Sequence, residues 1–291
     1  MRTPENVEKL KAIIEKYLVV VNNFIQTEIE LQKRGKKLND VQRVANDFLS
    51  RTFLNVKAVL ELLELYKIQR GMILPIGLIL RSICSDFLTL CYLSTFSGNK
   101  NEVNESFLNE LRLFQRDSVR SVMEVAEMEI DIQRFLKGIP KQSLGKDELL
   151  KMHEKIRNNF SFLFNKKGGY KVASELRATS DKRFFYKKEF KEPNGFVTEK
   201  YKWKRIEKDE VLNKYILVYF SHKLFSQFQH YSKLSVDLLD KGAEDHMFYY
   251  LVLSIDSVFI ATDLQIQIIG GNENKLLNEL RMVKDQINGV F

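Results

Sequence analysis

From Pro4 to Asn288 the apolar residues recur at intervals of three and four for long stretches, broken only by widely spaced glycines and prolines. That period lays one apolar face along an α-helix, so the chain can bury its hydrophobic surface only by packing helices together. The punctuation sets the helix ends. Thr3-Pro4 pairs a cap with proline at the first helical position, opening a helix that should run to about Arg34, before Gly35. Asn39 and Gln42 have capping-box spacing and open a second helix, to about Gln69. A third covers about Met72–Phe96, with Pro75 tolerated in its first turn. Others follow at about Glu102–Lys137, Lys146–Asn165, Asp209–Asp240, Glu244–Ile269 and Asn274–Asn288. Short connections make neighbouring long helices antiparallel, and no solenoid or heptad repeat is present. The expected fold is all-α: one helical domain over residues 1–291, a multi-helix bundle with a small basic insert at 165–208.

Composition closes off other classes. At 44% hydrophobic, with only 13 Gly and 4 Pro in 291 residues, the chain is neither disordered nor fibrous. Its two cysteines, Cys84 and Cys91, cannot make a disulfide scaffold or a four-thiolate zinc site. Seven residues apart on one helix, they cannot bridge each other, and they read as small apolar residues in a reducing cytoplasm. Met72–Leu93 and Phe248–Gly270 approach membrane length, but the first carries Arg81 and Asp86 and the second Asp256 and Asp263. Charges at the centre of a membrane helix cost a few kcal/mol on insertion scales, so both read as buried core helices, and no membrane association is expected. The N-terminus lacks the apolar core and cleavage site of a secretory signal. No zinc, phosphate-loop, dinucleotide or nucleophile-elbow motif occurs, so neither a metal nor a cofactor is expected.

The formal charge of +8 is unevenly placed. Asn165–Lys208 holds 14 basic and 6 acidic residues, and the remainder has 32 of each. Aromatics alternate with these cations. Arg183–Lys191, the turn chemistry of Pro193-Asn194-Gly195, and the alternation of Val197–Lys204 together predict a β-hairpin. Lys200, Lys202 and Lys204 would share one face of it, and Tyr201 and Trp203 the other. Lys187, Lys188, Lys200, Lys202, Trp203, Lys204 and Arg205 are thus candidate contacts to RNA or DNA, the cations on phosphates and the aromatics on unpaired bases. The alternative is a hairpin that packs its aromatics on the bundle and leaves its lysines solvated. An anionic membrane surface would require an apolar face that this segment lacks.

Two further stretches place ionisable groups in apolar helices. Arg81, Ser85 and Thr89 form a narrow polar stripe with Asp86 at its margin, and Asp256, Asp263 and Gln267 form another. A buried guanidinium needs a carboxylate, so Arg81 is expected to meet Asp256 or Asp263, either as a paired core network or as a polar pocket. In Tyr219–Leu239 the apolar face reads Phe220, Leu224, Phe228 and Tyr231, with His222, Ser226 and His230 on the polar side. Ser226 and His230, four apart, could touch as a nucleophile and base, or stand as a back-bonded hydroxyl and a solvated imidazole.

Leu80-Arg81-Ser82 followed by Asp86, and the Ser-x-x-x-His helix Phe225–Tyr231, resemble a group of all-helical bacterial proteins of the broad HEPN class. Members of that class include ribonuclease toxins and abortive-infection factors. The likeness spans the chain from Met72 onward. The group usually has an acid four residues after the arginine, where this chain has Ser85. The class's ribonuclease signature, an arginine four to six residues before a histidine, is absent. The resemblance therefore implies the helical fold more than the activity. The expected function is that of a cytoplasmic binding or regulatory protein contacting nucleic acid through the insert, more a binder than an enzyme. The alternatives are a HEPN-like ribonuclease or defence toxin, with Arg81, Ser226, His230, Asp256 and Asp263 as candidate catalytic residues, and a protein-interaction scaffold. A homodimer through helix faces is a further expectation.

Overall fold

The computed structural model describes residues 3–97, 104–136, 146–171, 173–176, 197–229, 244–270 and 275–290. The fold is all-α, and the chain divides into two compact units. The first comprises Met1–Thr95, Asn99–Glu102 and Glu199–Phe291, the second Phe96–Gly98 and Val103–Thr198.

In the first unit α1 (Pro4–Lys33) starts where the sequence places it, with the Thr3 side chain accepting from the Asn6 amide. It ends through Gly35 at φ 103°, a left-handed residue that lets the Lys36 amide reach back to the Leu31 carbonyl at 2.9 Å. Asn39 and Gln42 close the capping box of α2 (Asp40–Tyr66). The most apolar helix, α3 (Ile73–Ser94), is central and packs on α2, α7 (Glu199–Ile206), α8 (Ile216–Gln229) and α9 (Glu244–Gly270). Cys84 and Cys91 are fully buried on it as free thiols. α9 lies against α1, where Tyr17 stacks on Phe259 (centroids 4.3 Å apart) and its hydroxyl meets Thr262 at 2.6 Å. The amphipathic α10 (Lys275–Asp285) covers α1 and α9. Both α3 and His246–Gly270 are long and apolar enough to cross a membrane, and most of each is buried inside the protein.

The second unit contains α4 (Glu105–Leu136), α5 (Lys146–Asn159) and the single turn α6 (Ala173–Leu176). Its small core joins Leu113, Leu163 and Leu176, with Val119, Phe160 and Phe164 around them. α5 stops six residues earlier than expected. A tight reversal follows it, in which Phe164 bridges Tyr170 and Asn165 and Gly169 are joined backbone to backbone at 2.8 Å.

The hairpin expectation is corrected at its second arm. Glu199–Ile206 is a helix, not a strand. The same residues that alternate also carry a helical stripe, Glu199, Lys202, Trp203 and Ile206, of which Lys202, Trp203 and Ile206 are buried. Trp203 stacks on Tyr219 of α8 with centroids 5.1 Å apart and planes 7° from parallel. The first arm and its turn, Lys187 and Lys188 included, lie outside the described residues.

Candidate functional site

The polar stripe of α3 is the starting point. Arg81, Ser85 and Thr89 are one turn apart on a helix otherwise buried in apolar neighbours; Thr89 Oγ1 donates to the Ser85 carbonyl at 2.9 Å, and all three side chains also reach an adjacent helix. Three rungs result, all within the first unit. Arg81 Nε donates to Ser226 Oγ of α8 at 3.1 Å, and that hydroxyl donates to the His222 carbonyl at 2.6 Å. Ser85 Oγ donates to Glu199 Oε1 of α7 at 2.7 Å. Lys202 Nζ donates to Thr89 Oγ1 at 2.8 Å and pairs with Glu199 at 3.3 Å.

The stripe of α7 serves this arrangement directly. Lys202 is 4% exposed, its stem packed in the core and its ammonium held between a hydroxyl and a carboxylate. Burial alone would raise the Glu199 carboxyl. The Lys202 charge and the Ser85 hydroxyl outweigh it and hold the group down at about 2. Asp86, on the margin of the stripe, goes the other way. Burial pushes it up to about 6 against the charges of Arg51 and Lys202. Arg51 approaches Asp86 Oδ2 at 3.3 Å, but that oxygen accepts no well-aligned hydrogen bond.

His222 is 4% exposed, and among the described residues neither ring nitrogen has a hydrogen-bond partner. Burial lowers its pKa to about 4. The Glu199 charge opposes this, while Arg81, Lys202 and Lys223 reinforce it. The imidazole is therefore neutral at pH 7. Arg81 is half-buried, and among the described residues its only hydrogen-bond partner is Ser226 and no carboxylate lies within ion-pair distance. With Lys202 neutralised by Glu199 and His222 uncharged, the group retains, among the described residues, one guanidinium without a carboxylate.

Arg81 thus does not meet Asp256 or Asp263. Those carboxylates face α10. Asp256 pairs with Lys284 at 3.4 Å, and Asp263 accepts from Arg281 at 3.0 Å and from Gln267 at 2.6 Å. The cations of an amphipathic surface helix reach them, and α3 does not have to. The polarity of α8 is corrected as well. Its buried face is Val218, Ser221, His222 and Phe225, and Phe220, read as core, is 41% exposed. His230 lies outside the described residues, so its expected contact with Ser226 does too.

Of the expected nucleic-acid contacts, Lys202 and Trp203 are buried, Lys204 is half-buried and Lys200 is exposed. Arg205 closes the end of α3, with Nε donating to Thr95 Oγ1 at 2.6 Å and Nη2 to its carbonyl at 3.2 Å. The sequence reading missed Glu199 and misplaced His222. The signal for Glu199 was the 199, 202, 203, 206 spacing. Among the described residues no cluster of three or more His, Cys, Asp or Glu side chains is arranged to hold a metal ion. No protein-family profile, no curated protein and no solved structure matches the chain.

Proposed function

We propose that this is a binding protein for RNA or DNA, with Arg81 taking a phosphate group at the junction of α3, α7 and α8. The observation that carries this reading is the half-buried Arg81 guanidinium with no carboxylate partner among the described residues. An uncompensated cation in such a site costs free energy, and an anionic ligand removes that cost. Ser226 fixes Nε, which leaves the Nη edge of the guanidinium for the fork geometry that phosphate favours. The excess of cations in Asn165–Lys208 supports a polyanion over a small acid, and exposed Lys200 and Lys208 belong to the same unit as Arg81.

Fluorescence anisotropy with labelled single-stranded RNA and DNA tests the reading. Arg81→Gln is expected to weaken binding by about tenfold or more, the usual worth of a charge-assisted contact. Affinity should fall steeply between low and high salt. Binding that is indifferent to salt and to Arg81 would remove the proposal.

A second reading, RNA cleavage of the HEPN type, is favoured by one arrangement. A neutral imidazole stands within electrostatic reach of Arg81 and Glu199. Ser85 occupies the place where that class carries an acid, and Glu199 brings a carboxylate to its hydroxyl. This reading requires shortening of RNA by the purified protein, abolished by His222→Gln or His230→Ala, and growth arrest on expression.

A further inference from the structure

We propose a second, separate site: the cleft in the second unit binds a nucleotide, its phosphate on Arg157 and Arg120 and its base on the rings of Tyr170 and Phe164. The cleft encloses ≈ 330 Å³, within the range of roughly 300–1,000 Å³ usual for small-ligand sites. Its chemistry is divided. Its lining joins Arg120, Glu124, Arg157 and His153 with Phe164 and Tyr170, whose centroids are 4.9 Å apart with planes tilted by 32°. A simple anion would leave the rings unused, and an apolar ligand would leave the Arg157 guanidinium without a counter-charge. A planar base joined to a phosphate uses both the cation and the rings.

Arg157 is exposed, and its guanidinium lies over the turn at Gly168. A Cβ at Gly168 would make an ordinary contact with that guanidinium at 3.5 Å, and it is φ 80° that favours glycine there. Arg157 has no carboxylate within ion-pair distance among the described residues. Arg120, in contrast, is paired with Glu124 at 2.9 Å. The cleft therefore keeps one net positive charge. Exposed Lys166 and Lys167 at the tip of the same turn extend the field outward. The turn that carries them is fixed by Asn165, whose side chain accepts from the amides of Lys167 (3.0 Å) and Gly169 (3.1 Å).

The experiment titrates the full chain by calorimetry with uridine 5′-monophosphate, ribose 5-phosphate and a 5′-phosphorylated octauridylate. Uridine monophosphate should bind at least about tenfold more tightly than ribose 5-phosphate, because stacking is lost with the base. Arg157→Gln, which alters an exposed residue, should keep the wild-type melting temperature and weaken the nucleotide by about tenfold or more. Arg81→Gln should leave it unchanged, so failure of the first-unit reading is distinguishable from failure of this one. An octauridylate that binds more tightly than the monophosphate in the Arg81→Gln background identifies a strand end as the ligand, and equal affinities identify a free nucleotide. Equal affinity for the nucleotide and ribose 5-phosphate, no effect of Arg157→Gln, or no binding of either uridine ligand overturns the proposal.

Discussion

His222 places two ring nitrogens in the core with no partner among the described residues. Two buried ring nitrogens without partners cost about 1–3 kcal/mol relative to satisfied ones. His222→Phe, which keeps a planar ring and removes the polar atoms, is therefore expected to melt at or above the wild-type temperature; a clear fall would mean that the nitrogens have structural partners. The pH dependence follows the same residues. His222 has a folded pKa of about 4 against an unfolded 6.5, so its contribution is present above 6.5 and is lost as pH falls toward 4. Glu199, about 2 against 4.5, adds a contribution that is present above 4.5 and lost as pH falls toward 2. Asp86, raised to about 6 from 3.8, opposes them by favouring the folded state as pH drops through 6 to 4. Denaturant melts between pH 7 and 3 should show declining stability overall, with the upper part of the decline flattened in His222→Phe.

At the scale of elements, α7 shows what a sequence pattern can and cannot say. Lys200, Lys202 and Lys204 alternate with Tyr201 and Trp203, which is strand-like, and Glu199, Lys202, Trp203 and Ile206 share a helical face. Both periods are present in eight residues. The choice was made by tertiary packing, by the Tyr219 ring and the hydroxyls of Ser85 and Thr89, and none of these is local to the segment. The same holds for α8, which is apolar on two sides and buries the side bearing Ser221 and His222. The long helices with clear caps, α1 and α2, were legible because their signals are local: Thr3-Pro4, the Asn39 and Gln42 box, and Gly35. Trp203→Ala should cost about 3–5 kcal/mol in urea melts, whereas Lys200→Ala on the exposed face should fall within about 0.5 kcal/mol of wild type. A mild effect of Trp203→Ala would mean that α7 is only loosely docked.

At the scale of the molecule, the basic segment is shared between two units. Asn165–Thr198 carries nine cations against four acids in the second unit, and Glu199–Lys208 five against two in the first. The sequence located the charge but not this division, because the boundary falls inside the segment and turns on which residues α3 and α8 recruit. Arg81 was legible as an anomaly, a cation on an apolar helix. Its partner was not, since four helices offer polar groups and only the packing selects Ser226. The two thiols on α3 give the folded state a clock. Cys84 and Cys91 sit in the centre of the first unit, with burial pushing the Cys84 thiol up to about 12 and the Cys91 thiol well above its ordinary value. Neither can react with a disulfide reagent until its surroundings open. Because one helix carries both, they should be modified together at a single rate, and that rate is the frequency with which the core of the unit exposes itself to water.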